Sequence, residues 1–266
     1  MIICKSPAEM ERMRAANVLV ADVLVELRGL VRPGVTTAEL DAVAEDRVRR
    51  AGAVPAFKGY HGYPATLCTS VNEEVIHGIP GPRALREGDI ASIDLGVVLD
   101  GFYGDAAVTV PVGRISDEAA ELLRVTEEAL YLGIERARAG NRVSDIGHAV
   151  QRHVEAHGFS VVREFVGHGV GHALHEEPQV PNFGPAGRGP RLTEGMTLAI
   201  EPMVAMGRAA VKVLGDGWTA VTKDSSLAAH FEHTVAITGA GPVILTTPGE
   251  RVRAASPGGR GQSLGG

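Results

Sequence analysis

Two stretches of the chain, Arg86-Glu87-Gly88-Asp89-Ile90-Ala91-Ser92-Ile93-Asp94 and Thr193-Glu194-Gly195-Met196-Thr197-Leu198-Ala199-Ile200-Glu201, repeat one pattern: a charged turn, then an apolar run that closes on a carboxylate. Each has a second half further on, Asp105-Ala106-Ala107-Val108-Thr109-Val110 and Glu232-His233-Thr234-Val235-Ala236-Ile237, so the chain reads as an internal duplication. Each copy brings two acids out of β-branched strands. Four carboxylates on buried strands need a cation. The copies are offset by 107 residues at the first acid (94 to 201) and by 127 at the second (105 to 232). The second copy therefore carries about twenty extra residues, Trp218 among them.

Asp100-Gly101 is a strong two-residue hairpin signal. Pairing Leu99 with Phe102 sets Gly96 opposite Asp105 and Ala107 opposite Asp94. Because strand side chains alternate, Asp94 and Asp105 become diagonal neighbours on one face, about 7–8 Å apart at the backbone. Glu201 and Glu232 are expected to stand likewise.

The helices repeat as well. Ser6-Pro7-Ala8-Glu9 predicts a capped helix that Pro33-Gly34 stops near Val31. Thr36-Thr37-Ala38-Glu39 starts a second, with Leu40, Val43, Ala44, Val48 and Ala51 at helical spacing and Gly52 closing it. Arg32 to Ala53 aligns with Arg138 to Phe159, and Asp117 and Glu118 open a helix running to about Arg138, where acids suit the positive end of the helix dipole. The duplicated unit is helix, helix and acidic hairpin, with pseudo-repeats at about 1–115 and 116–247 in a single domain. The tail 248–266, rich in Gly, Arg and Ser, is expected to be disordered.

A net charge of −6 argues against a general nucleic-acid binder. Two cysteines, Cys4 and Cys68, make no disulfide framework, and the sequence has no signal-peptide run and no span of about twenty apolar residues. The expectation is a reduced, soluble, cytoplasmic protein.

Asp94, Asp105, Glu201, Glu232 and one histidine make a hard, oxygen-rich site. Five ligands exceed a tetrahedral zinc and suit two divalent ions with bridging carboxylates. Of the ten histidines, His153 and His157 lack the acid of an HExxH helix and read as a surface face. His233 shares a strand face with Phe231, Val235 and Ile237 and reads as a core histidine. His168, His172 and His175 have the spacing of a helical zinc triad, but Gly167, Gly169 and Gly171 oppose a helix. The favoured alternative is a loop that sends His168 to the metal and His175 over a substrate.

These segments resemble type I methionine aminopeptidases. The resemblance rests on His77-Gly78, Asp94 to Asp105 with Asp100-Gly101-Phe102-Tyr103-Gly104 between them, Gly167-His168-Gly169-Val170-Gly171 through His175-Glu176-Glu177-Pro178, Ile200-Glu201-Pro202 and Phe231-Glu232-His233-Thr234. It covers residues 2 to 247. It implies an α+β pita-bread (creatinase/aminopeptidase) fold, two pseudo-twofold halves around a shared antiparallel sheet. It implies excision of N-terminal methionine from nascent proteins and peptides, preferentially before a small residue, by attack of a water or hydroxide bridging two metal ions. Asp94 would chelate the second metal, Asp105 and Glu232 would bridge both, and His168 and Glu201 would complete the first. Glu201 would also exchange a proton with that water, while His175 and His77 would contact the scissile carbonyl and the amide beyond it. The substrate amine would take the last position on the second metal.

Tyr60, His61, Tyr63, Cys68 and Trp218 fall where the family builds its methionine pocket. Two departures bear on its shape: Phe57 stands where many relatives have cysteine, and Leu174 where they usually have phenylalanine. The implied cofactors are two divalent ions drawn from Fe2+, Mn2+, Co2+ and Zn2+. The implied partners are nascent N-termini, with transient ribosome association open, no specific nucleic acid, no membrane and a monomeric state. The rival readings are a proline-specific aminopeptidase or dipeptidase of the same fold and a non-catalytic binding protein built on it.

Overall fold

Reciprocal caps start the first two helices. In the computed structural model, which describes residues 1–249, Ser6 Oγ accepts from the Glu9 amide at 3.3 Å while the Glu9 carboxylate accepts from the Ser6 amide at 2.8 Å, opening α1 (Pro7–Leu30). Thr36 and Glu39 do the same for α2 (Thr37–Arg50). The second pair is α3 (Asp117–Arg136), two residues shorter than expected, and α4 (Val143–Ala156). Gly52 and Gly158, after α2 and α4, both take left-handed backbone, at φ 75° and 79°. The sequence expectation for the tail lies, from residue 250 on, outside the described residues.

The main sheet runs β1 (Val54–Pro55), β4 (Ile90–Leu99), β5 (Phe102–Pro111), β14 (Glu232–Thr238), β9 (Thr197–Ile200), β7 (Gly167–Gly169) and β8 (Glu176–Val180). Off this path, β2 (Leu67–Val71) pairs with β4 and β15 (Gly241–Ile244) with β14. Outward from the central β5–β14 pair, each side meets the first strand of its own acidic pair, β4 or β9, and then β2 or β7. Two small sheets, β13 (Ala228–His230), β10 (Met203–Ala205) and β6 (Ser160–Val161), and β11 (Val211–Val213), β12 (Ala220–Thr222) and β3 (Glu74–Ile76), take up most of the second copy's extra residues.

Alternation along the central strands separates core from site. Ile93 and Leu95 face α1 and α2 in a cluster with Val20, Leu24, Leu40 and Val48. Leu198 and Ile200 face α3 and α4 in a second cluster with Leu122, Val125, Ile146 and Val150. The acids fall on the other face, which the helices leave open.

The first hairpin has the expected register: Leu99 pairs with Phe102, Gly96 with Asp105 and Asp94 with Ala107. Asp100 and Gly101 both carry positive φ, 50° and 78°, as a two-residue turn with the strand twist requires. The second acidic pair departs from expectation. The β9–β14 ladder ends on Ile200 with His233, so Glu201 and Glu232 follow directly opposite each other rather than diagonally. No tight turn joins these strands, and the intervening excursion lets the register differ from the first pair.

Candidate metal centre

Cys68, Asp94, Ala107 and Glu232 form one row across β2, β4, β5 and β14. Asp105, opposite Gly96, stands one pleat along on the same face. The small residues in this floor have steric reasons. Ala107 separates two acids by only a methyl group, and a Cβ on Gly96 would lie 2.5 Å from Phe57 Cε1.

His168 enters from β7, where a Cβ on Gly167 or Gly169 would lie 2.4 Å from the carbonyl oxygen of Ala199 or Glu177. Its Nδ1 donates to the Gly169 carbonyl at 2.9 Å, leaving Nε2 as a free lone pair. That nitrogen stands 3.5 Å from Glu201 Oε1 and 3.9 Å from Asp105 Oδ2. Among the described residues, Asp105, His168 and Glu232 offer ligand atoms within 4.8 Å of one another. Residues 170–175 form no helix. His172 is exposed, paired with Glu9 at 3.2 Å and tilted against Phe102, so no histidine triad assembles.

The electrostatics fit a cation. Burial pushes the Asp94 carboxyl up to about 8, and burial followed by neighbouring carboxylates pushes Asp105, Glu201 and Glu232 well above the usual range. Asp94 Oδ1, Asp105 Oδ1 and Glu232 Oε1 are buried with no hydrogen-bond partner. Buried oxygens left so cost about 1–3 kcal/mol each, more when charged. Carboxylate oxygens and a free imidazole nitrogen together form a donor set for hard or borderline divalent ions.

Above this floor lies a cavity of about 180 Å³. Its walls include Tyr60, Tyr63, Cys68, His77, His175 and Trp218. Tyr60 OH meets His175 Nδ1 at 2.8 Å, and the His175 ring lies edge-on to His168, centroids 4.3 Å apart. His77 stands edge-on to Trp218 and Phe165. Burial, then His175, holds the His77 imidazole down to about 4, and the same causes hold His168 at about 4. Neither His77 nor His175 belongs to this compact group of ligand atoms, and of the five expected ligands Asp94 and Glu201 also lie outside it. Gly78 lets the His77 turn lie on β2, since a Cβ there would lie 2.2 Å from the Thr69 oxygen.

His61 is a correction among the expected wall residues. It is exposed and outside the lining, its ring edge-on to Tyr60 at 4.4 Å between centroids. Its backbone is left-handed, at φ 49°. Phe57 and Leu174 do line the cavity, as do Ile76, Phe165 and Val166, which no spacing signal marked. His230 was also missed: it is 2% exposed, with Nε2 unpartnered and 3.7 Å from Glu201 Oε2. Its place two residues before Glu232 was the available signal. His233 is satisfied as expected, bonded through Nδ1 to Thr246 Oγ1 at 2.8 Å, but it is half-buried rather than part of the buried core. His153 pairs at the surface with Glu128 at 3.1 Å.

Residues 11–239 match the model of metallopeptidase family M24. Methionine aminopeptidase 1 of Bacillus subtilis is 56% identical over 246 residues, covering 92% of this chain and 99% of its own. The crystal structure of methionine aminopeptidase from Thermotoga maritima superposes with a TM-score of 0.92 at 49% identity, over 93% of this chain and 100% of that one. A prolidase from Pyrococcus furiosus shares the fold, with a TM-score of 0.75 at 22% identity, but the match covers only 66% of its chain.

Proposed function

The chain belongs to metallopeptidase family M24, and from that membership we propose a metal-dependent aminopeptidase that removes N-terminal methionine from nascent proteins and peptides, preferentially before a small residue. The observation that carries this reading is the set of buried, unpartnered carboxylate oxygens on the floor of a cavity with largely apolar walls. Asp94, Asp105, His168, Glu201 and Glu232 would hold two divalent ions, drawn from Fe2+, Mn2+, Co2+ and Zn2+. When bound, the ions supply Lewis-acid charge that acidifies water and polarises a peptide carbonyl.

The chain's own groups supply the rest. Glu201 takes the proton from the attacking water at a carboxylate oxygen and returns it to the leaving amine. His175 donates to the scissile carbonyl oxygen, and its contact with Tyr60 fixes the ring that does so. His77, neutral over the working range, contacts the amide beyond. Tyr63, Cys68, Trp218, Phe57 and Leu174 form a wall that suits a flexible thioether, where each sulfur-to-ring contact contributes about 0.3–1.5 kcal/mol.

Residues 1–247 would act as a single catalytic domain made of two repeats, monomeric and cytoplasmic, with nascent N-termini as partners and transient contact with the ribosome. Among the described residues no helix is long and apolar enough to cross a membrane. Hydrolysis of Met-Ala-Ser before and after chelation tests the reading, beside a peptide beginning Ala-Pro. Metal-dependent cleavage of the first alone is expected. Cleavage of the second instead would assign a proline-specific enzyme, and cleavage of neither would leave a binding protein on this fold.

A further inference from the structure

The segment from Val170 to His175 is neither helix nor strand, yet it supplies two walls of the cavity, Leu174 and His175. Glu176 holds it from beneath. One of its carboxylate oxygens accepts the amides of His172 at 2.7 Å and Ala173 at 3.2 Å. The other is ion-paired with Lys5, whose ammonium also donates to the Ile3 carbonyl at 3.2 Å. The two side chains are 1% and 6% exposed. The turn also packs on the lysine stem, since a Cβ on Gly171 would lie 2.2 Å from Lys5 Cε. Lys5 is itself anchored, its amide donating to the Gly195 carbonyl at 2.7 Å.

We propose that Lys5 is a positioning residue for the reaction: it neutralises Glu176 and so fixes the turn that aims His175 and Leu174 into the cavity. The inference rests on the reading of His175 as donor to the scissile carbonyl. With the ammonium removed, Glu176 becomes a buried carboxylate with two amide donors and no counter-charge. The turn then opens toward water and His175 loses its aim. A group that acts through geometry in the transition state shows its loss in kcat more than in KM. The metal-holding side chains stand on or beside the sheet strands rather than on this turn, so metal affinity is retained.

Lys5→Met, Glu176→Gln, the double variant and His175→Ala are compared for Mn2+ affinity by calorimetry, melting temperature, and kcat and KM on Met-Ala-Ser. Lys5→Met should lose about 10–100-fold in kcat, the range that small misplacements produce, with Mn2+ affinity unchanged. The double variant should recover most of that loss, because a neutral amide oxygen still accepts both turn amides and leaves no unpaired charge. Glu176→Gln alone strands the ammonium and should fall below the double variant, a comparison that decides the matter if Lys5→Met does not fold. Parental kcat in Lys5→Met, or no recovery in a folded double variant, overturns the proposal. Near-parental kcat in His175→Ala overturns instead the reading of the site, whatever the lysine variants do.

Discussion

Asp94, Asp105, Glu201 and Glu232 are four carboxyls in conflict with their surroundings: burial pushes each of them up, and for the last three neighbouring carboxylates add to it. A cation converts that conflict into the driving force for binding. Glu201 differs from the other three in that both its oxygens face imidazoles, His168 and His230. Glu201→Gln keeps a neutral oxygen but cannot take a proton. Turnover on Met-Ala-Ser should fall at least about 10²–10⁴-fold, the usual weight of general acid–base catalysis, while peptide still binds. Near-normal turnover with metal bound would point to another base. His77 gives a pH prediction. Its folded-state pKa, about 4, is below the 6.5 of an unperturbed imidazole, so between those values the unfolded chain takes a proton that the folded one refuses. Its contribution to stability is therefore intact above pH 6.5 and is lost as pH falls toward 4. By NMR its ring should titrate near 4; an inflection near 6.5 would contradict the burial assigned to it.

The hairpin β4–β5 was legible from sequence because a two-residue turn counts the register outward from Asp100-Gly101, and strand alternation then places both acids. The second acidic pair was legible only as a pair, since nothing in a long excursion counts register. Capping boxes marked the helix starts within a residue. Phe165, Val166 and Ile76 were not legible as wall residues: they come from a loop and a short strand, where apolar residues follow no period that points toward a cavity. Gly96 carries an element-level prediction. In Gly96→Ala the new methyl meets Phe57 and the Ala56 side chain, so the segment after β1 must shift. Overpacking of this kind costs about 1–3 kcal/mol, and a lower melting temperature together with a raised KM is expected. A variant with parental melting temperature and KM would show that the β1–β4 contact does not shape the cavity.

The molecule as a whole carries its two helical cores on one face of the central strands and the charged floor on the other, so the site draws one pair of acids from each half. Neither half holds the full donor set. Removing metal should therefore weaken the join between the halves as well as abolish activity. Calorimetry with and without chelator should show a lower melting temperature for the stripped protein, in line with about 2.7 kcal/mol of stabilisation when free ion is a hundredfold above its dissociation constant. Equal melting temperatures would mean that no ion is held. The most direct test of the account is anomalous diffraction from a Mn2+-soaked crystal. Two peaks about 3.5–4 Å apart, as two-metal hydrolases place their ions, are predicted among Asp94, Asp105, His168, Glu201 and Glu232. A single ion held by His168, His172 and His175, or no peak on the sheet floor, would contradict it.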